Sequence, residues 1–370
     1  MIGLIRISTA SLKSKSTKLR VGDWVEVRTK EEIVRTLDDD GRLDGMPFMP
    51  EMFAFCGQHF QVYKRAHKTC DTVFPVRGRR MDAAVHLETR CDGSAHDGCQ
   101  ASCLMFWKEA WLKPVDPNSR KDAQPRDESA PSAIGGCTEA NVWAQARTLS
   151  PDGVPSYTCQ ATQLPYATTE LDWRDFRQYV EDYRSGNVGF WRIICGGVYF
   201  LYYWLTGAGF KLGRPLRWFY DNFYPLWRGA PFPRRRGTIH EGQPTPTRTL
   251  DLQPGELVRI KPYPEILKTL NTRNRNRGLY FDAEEVPYCG KTYRVLTRVD
   301  RIVDERTGRM RTMQTPCVIL DSVICQSRYS ECRLFCPRST YPYWREIWLE
   351  RVEPAVSKVQ PKEDQVASQC

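Results

Sequence analysis

Cysteine is the residue type around which chemistry could be organised in this chain. Eight of its fourteen cysteines fall into two series of matching spacing. Cys56, Cys91, Cys99 and Cys103 are separated by 34, 7 and 3 residues, and Cys289, Cys325, Cys332 and Cys336 by 35, 6 and 3. Four thiolates about 2.3 Å from one ion make a closed tetrahedral site, and a close pair on one loop with two ligands from elsewhere is a common way to supply them. Such a site would tie strands together and add folding free energy on the order of 10 kcal/mol. Zinc is the expected metal. An iron–sulfur cluster also accepts four thiolates, but neither series has a familiar cluster spacing. His96 adds a donor within the first series and either replaces Cys56 there or sits on a loop. The first half holds His59, His67, His86 and His96, and the second series has no histidine near it, so a site common to both cannot require imidazole. Two other readings stay open: buried thiols acting as small hydrophobes, and disulfides. Cys70 and Cys317 do not match each other, and Cys137 and Cys159 have no counterpart and read as free thiols.

The two series belong to a longer internal match. Residues 21–115 and 255–352 run parallel at an offset of 233, rising to 237 at the end. Gly22-Asp23-Trp24-Val25-Glu26-Val27 aligns with Gly255-Glu256-Leu257-Val258-Arg259-Ile260, and Cys56-Gly57 with Cys289-Gly290. Trp107-Lys108-Glu109-Ala110-Trp111-Leu112 aligns with Trp344-Arg345-Glu346-Ile347-Trp348-Leu349. The tryptophans stand i, i+4 with an acid between them, which suits a core ridge or a peptide groove.

These series need elements to hold them. Residues 22–28 alternate as a strand. Residues 31–37 read as a short helix, and the run from Met46 to Phe55, with Pro47 and Pro50, as an irregular apolar loop. Phe60 to Arg65 and Thr292 to Val299 read as strands, the latter turning through Asp304-Glu305-Arg306-Thr307-Gly308-Arg309 into a second strand. Short strands, glycine turns and one helical turn in each half predict an α+β chain, mainly β, with two small SH3-like barrels. The prolines and polar residues of 116–165 predict a flexible linker, as does 237–254. Residues 1–20 and 353–370 read as tails.

The chain has 370 residues, 41% of them hydrophobic, enough for two or three domains with real cores. Its net charge of +10 is unevenly spread. The first half is slightly acidic, the second basic, and residues 184–236 carry nine basic residues against the single acid Asp221. Within the predicted helical segment 166–236, Ile193 to Phe210 runs 18 residues without a charge. That is the lower edge of a membrane span. Its tyrosines, Trp204 and Gly196-Gly197 fit an interfacial helix, or a helix packed between the halves, equally well. An anionic membrane surface is therefore an expected partner of 190–236. Nucleic acid, through 211–236, is the lesser expectation, because a nucleic-acid groove would spread its charges through the uncharged run. The short apolar start of MIGLIRISTASLKSK is not an export signal. The expected location is cytoplasmic, peripheral to the inner membrane, where clustered cysteines favour metal over disulfide.

No phosphate-binding glycine loop, His-Glu-x-x-His, Gly-x-Ser-x-Gly or paired-carboxylate motif is present. The stretches GDWVEVRTKEEI, LYFDAEEVPYCGKTYRVL and CPRSTYPYWREIWLERV resemble a family of bacterial proteins of uncharacterised activity, over most of the chain. The resemblance implies a bacterial origin and no site residues. The sequence thus points to a non-catalytic binding or scaffold protein with two metal-stabilised modules and an unidentified protein partner. Its alternative is an enzyme whose His96, Cys99 and Cys103 perform thiol or metal chemistry.

Overall fold

The structure is a computed structural model that describes residues 18–73, 77–115, 136–207, 213–224, 231–329 and 332–352. Alternation places Val25 and Val27 on one face of the Trp24–Val27 strand, and both are fully buried. This strand pairs antiparallel with His59–Arg65 on one side and Leu112–Pro114 on the other. Ala84–Arg90 and Leu104–Lys108 extend the sheet to five strands. The second half builds a sheet of the same order from Trp344–Arg345, Met310–Leu320, Thr292–Val303, Leu257–Ile260 and Leu349–Arg351. Registers agree as well. Val25 faces Phe60 and Pro114, while Val258, 233 residues on, faces Tyr293 and Arg351.

Residues equated by the offset also make equal contacts. Trp111 Nε1 donates to Thr36 Oγ1 at 3.1 Å, and Trp348 Nε1 to Thr269 Oγ1 at 2.9 Å. Phe48 meets Trp111 edge-on, as Phe281 meets Trp348. All four tryptophans of the paired signatures, Trp107, Trp111, Trp344 and Trp348, are fully buried, so they are core and not a groove. The acid between them is buried too. Glu346 accepts from the backbone N–H groups of Leu250, Asp251 and Leu252 at 2.5–3.1 Å. Glu109 accepts from Leu19 N at 3.2 Å and from the Arg65 guanidinium at 2.5 Å. Each glutamate thereby fixes where the chain comes into its sheet, and neither is placed for acid catalysis.

The fold departs from the sequence expectation in two stretches. Within 116–165, expected to be a flexible linker, residues 138–157 form the Glu139–Ala146 helix and a hairpin of Arg147–Leu149 with Pro155–Tyr157; the Gln160–Ala167 helix follows. Thr138 closes a capping box on the first helix, and Val142 and Leu164 enter the core of the first half. The prolines fall in the hairpin and inside the second helix, where they leave both apolar faces intact. Residues 116–135, and the expected tails 1–17 and 353–370, lie outside the described residues. Met46 to Phe55 is ordered rather than irregular, with a 3-10 turn over Pro50–Phe55 that buries Met52 and Phe53.

Between the halves lie the Arg177–Arg184 helix, the 18-residue Phe190–Gly207 helix and the Gly213–Phe223 helix. Among the described residues no helix is long and apolar enough to cross a membrane. Lys68 ties these pieces together. Its ammonium, 3% exposed, reaches Asp182 Oδ2 at 2.6 Å, Leu334 O of the second half at 2.8 Å and Gln178 Oε1 at 3.3 Å. Burial lowers the Lys68 pKa, and Asp182 opposes that shift. A buried charge that loses its partner costs about 3–5 kcal/mol, whereas a well-packed apolar replacement of both costs little. Asp182→Ala should therefore lower the free energy of urea unfolding by roughly 3–5 kcal/mol, and Lys68→Met with Asp182→Leu should recover most of it. Arg259→Ala, which breaks the exposed pair with Glu350, should cost less than about 1 kcal/mol in the same assay.

Candidate metal centre

The loop after Ala84–Arg90 positions the first series. Gly93 takes φ +74°, and a Cβ there would stand 2.1 Å from Cys99 O, so only glycine lets the loop close on itself. Its carbonyl accepts from His96 N at 3.0 Å and Gly98 N at 2.9 Å. The turn aims His96 inward onto Glu51, which the Pro50–Phe55 turn presents from below. Cys91 joins them from the end of the strand.

Glu51, Cys91 and His96 bring their ligand atoms within 4.8 Å of one another, and no other such group of three occurs among the described residues. Glu51 Oε1 lies 2.6 Å from His96 Nδ1, 3.1 Å from Ala95 N and 3.6 Å from Cys91 Sγ. His96 Nε2 faces Thr158 O at 3.0 Å. Both ring nitrogens thus face acceptors, which favours imidazolium. Burial pulls the His96 pKa down, but the Glu51 hydrogen bond and charge raise it overall. Burial would raise the Glu51 carboxyl, yet His96 holds it below its ordinary value. Burial, followed by the Glu51 charge, pushes the Cys91 thiol far up.

The donor set fits a metal ion. Glu51 Oε2 is buried without a hydrogen-bond partner, an orphaned oxygen that an ion would satisfy. A metal at Nδ1 and Sγ would displace one proton from each, since ligands must be deprotonated. The Nε2–H to Thr158 O contact would then fix the tautomer. The three residues would hold the ion, and a carboxylate–imidazole–thiolate set suits zinc or another borderline divalent ion.

A cavity of about 30 Å³, room for about one water-sized sphere, adjoins this group. Cys91, His96, Cys99, Cys103 and Cys159 line it. Burial pushes the Cys103 thiol up to about 12 and Cys159 to about 11. Four of the five donors predicted for the first half therefore border one space. The fifth, Cys56, does not join them: it caps the Pro50–Phe55 turn, with Lys30, Glu31 and Glu139 as charged neighbours. Glu51 and Cys159 were missed. Glu51 is the lone acid in an otherwise apolar run, FMPEMFAF, which was the available signal. Cys159 offered none, because its segment read as linker.

The second half lays out its cysteines differently. Glu284, equivalent to Glu51, accepts from the backbone N–H groups of Arg328 and Tyr329 at 2.9 and 2.5 Å. Tyr329 stands where the first half has His96, so no imidazole is available. Cys289 Sγ meets Glu285 O at 3.9 Å, Cys325 Sγ meets Ser327 Oγ at 3.5 Å, and Cys332 lies near the Tyr179 ring. Cys336 Sγ accepts from Cys70 N of the first half at 3.1 Å, and Cys99 Sγ accepts from Val303 N of the second at 3.3 Å. Cys70 and Val303 are themselves 233 residues apart, so each half presses the same strand position against the other's cysteine loop. The remaining histidines serve the fold: His86 is a buried neutral ring, its pKa lowered to about 3 by burial, and His59 is exposed beside Glu26.

Comparison with family models, characterised proteins and solved structures finds no match to this chain.

The hydrogen bond to Cys336 lowers the Cys70 pKa to about 5, with Arg338 and Arg333 adding to it, while Cys336 is raised well above its ordinary value. The folded pair holds one proton across the range where the unfolded pair goes from two to none. A depressed folded pKa contributes stability that is present above the unfolded value and lost as pH falls through the folded one. The unfolding free energy of the wild type, relative to Cys70→Ala, should therefore rise as pH goes from about 5 to about 9. Above that the Cys336 proton reverses the trend. Urea titrations of both proteins at several pH values check this.

Proposed function

We propose that this protein is a non-catalytic binding or scaffold protein made of two copies of one small SH3-like β module, the first stabilised by a metal ion, with zinc the leading candidate. The single observation that carries the reading is the buried Glu51–Cys91–His96 group, with an orphaned carboxylate oxygen and more thiols across a small cavity. A fourth ligand would come from Cys99, Cys103 or Cys159. The matching strand orders and registers, and the constant offset between them, support two copies of one module. The duplicated halves meet through equivalent positions, as two protomers of a symmetric dimer would.

A structural role is favoured over thiol catalysis by burial and by protonation. A reactive cysteine needs a thiolate in an accessible, electropositive setting. Cys91 and Cys103 are buried, with thiols held well above neutrality. In this reading the metal adds folding free energy and fixes the loop that the second half leans on.

Protein purified anaerobically should carry close to one zinc per chain by elemental analysis. Glu51→Gln, Cys91→Ser and His96→Ala should each lose metal at least ~10-fold in a chelator competition and unfold at lower temperature. Cys56→Ser should keep its metal. Wild-type protein free of zinc and iron, and unaffected by chelator, would refute the metal reading. A Cys99→Ser or Cys103→Ser protein that stays folded and metal-bound but loses a measured activity would favour the enzyme.

A further inference from the structure

We propose that the hairpin of the Phe190–Gly207 and Gly213–Phe223 helices lies flat in the interfacial layer of a membrane carrying anionic lipid. The inference is independent of the metal centre.

One side of the longer helix is fixed to the protein. Gly196 packs so closely on the second half that a Cβ there would stand 2.5 Å from Phe335 Cζ. One turn on, Tyr199 packs its ring edge-on against Tyr329. The opposite side has no such cover. Trp191 is 74% exposed, Val198 62%, and Leu201 and Trp204 57% each. With Ile194 and Leu205 these residues recur every three or four positions, one unbroken apolar stripe along about 27 Å of helix. The second helix is tied alongside by the Tyr202 hydroxyl, which donates to Leu216 O, and by Tyr202 packing on Tyr220. It adds Trp218, Phe219 and Phe223, exposed by 65, 50 and 36%. Isolated exposed apolar residues are ordinary, but a contiguous stripe over two helices marks a binding surface.

Charge and residue type select the occupant. From Tyr183 to Tyr220 the chain has no acid, and Arg184, Arg192, Arg214 and Arg217 border the apolar run. Asp221, the one acid before Glu241, is neutralised by Arg235 and also accepts from Phe232 N. Tryptophan-rich apolar surface rimmed by arginine is the composition that settles at headgroup depth, rings at the acyl boundary and guanidinium groups on phosphate. Neither helix is long and apolar enough to cross a bilayer, and the protein-facing side holds the longer helix parallel to the surface of the fold. A nucleic acid would need cations spread along the stripe, where there are none between Arg192 and the end of the helix. A protein partner would not by itself require the one-sided charge.

The test is co-sedimentation of the full chain with vesicles of phosphatidylcholine, with or without about a quarter phosphatidylglycerol. Binding to the anionic vesicles is expected to exceed binding to neutral ones by at least ~10-fold and to weaken between about 0.1 and about 0.5 M salt. Leu201→Glu with Trp204→Glu should abolish it, with circular dichroism unchanged because both side chains are exposed. Arg214→Glu with Arg217→Glu is a second variant that leaves the apolar stripe intact, and it should reduce anionic binding at least ~5-fold. Absence of sedimentation with either vesicle overturns the proposal, as does vesicle binding that neither double variant changes. A concentration-dependent dimer that Leu201→Glu with Trp204→Glu dissociates, without lipid binding, overturns it too and assigns the stripe to a second copy.

Discussion

A carboxylate removed from water must be met by donors, and that constraint organises both halves of this protein. Glu109 and Glu346 sit between fully buried tryptophans, where an unsatisfied acid would be costly. Each is satisfied by the chain that leads into its own sheet: Leu19 and Arg65 in the first half, three successive backbone N–H groups from Leu250 to Leu252 in the second. The closing strand, the first strand and the tryptophan core are thereby fixed together. Glu51 and Glu284 repeat the device one layer away. Each holds the loop that follows the sheet's long hairpin through backbone N–H groups. Where the first half presents His96 to that carboxylate, the second presents Tyr329, and from this one difference the two loops acquire different chemistry.

The halves are joined by contacts that are polar and specific rather than broadly apolar. Cys70 N meets Cys336 Sγ, Val303 N meets Cys99 Sγ, and the Lys68 ammonium bridges Asp182 and Leu334 O. Gln100 and Arg301 exchange backbone and side-chain bonds across the same seam. A metal at Glu51, Cys91 and His96 would stiffen one of the two loops that the seam uses. The module core, the metal loop and the contact between halves are thus mechanically one unit, while the aromatic helices are anchored to it along one side only.

Much of the fold was legible in the sequence. The alternation of Val25 and Val27, the hairpin loop closed by Gly308, and the constant offset between the halves all mark real strands and equivalent contacts. The tryptophan signatures read correctly as core. The 116–165 region did not, because frequent proline and polar residues mask short helices whose apolar faces matter only once a sheet exists to receive them. The candidate site was legible in part. Cys91, His96, Cys99 and Cys103 lie on one loop, and local spacing carried them. Cys56 shares that series by spacing alone, and its side chain belongs to another neighbourhood.

By itself, the amino-acid order determined what depends on near neighbours: which stretches alternate, which turns need glycine, and where thiols, aromatics and cations cluster along the chain. These follow from steric and burial preferences that act over a few residues. Only the tertiary structure decided that Glu51 meets His96 from 45 positions away, that Cys159 joins the same cavity, and that Cys70 faces Cys336 across 266. Proximity of that kind is set by how sheets and helices pack to bury their apolar faces, and the packing leaves no periodic mark at the residues it brings together.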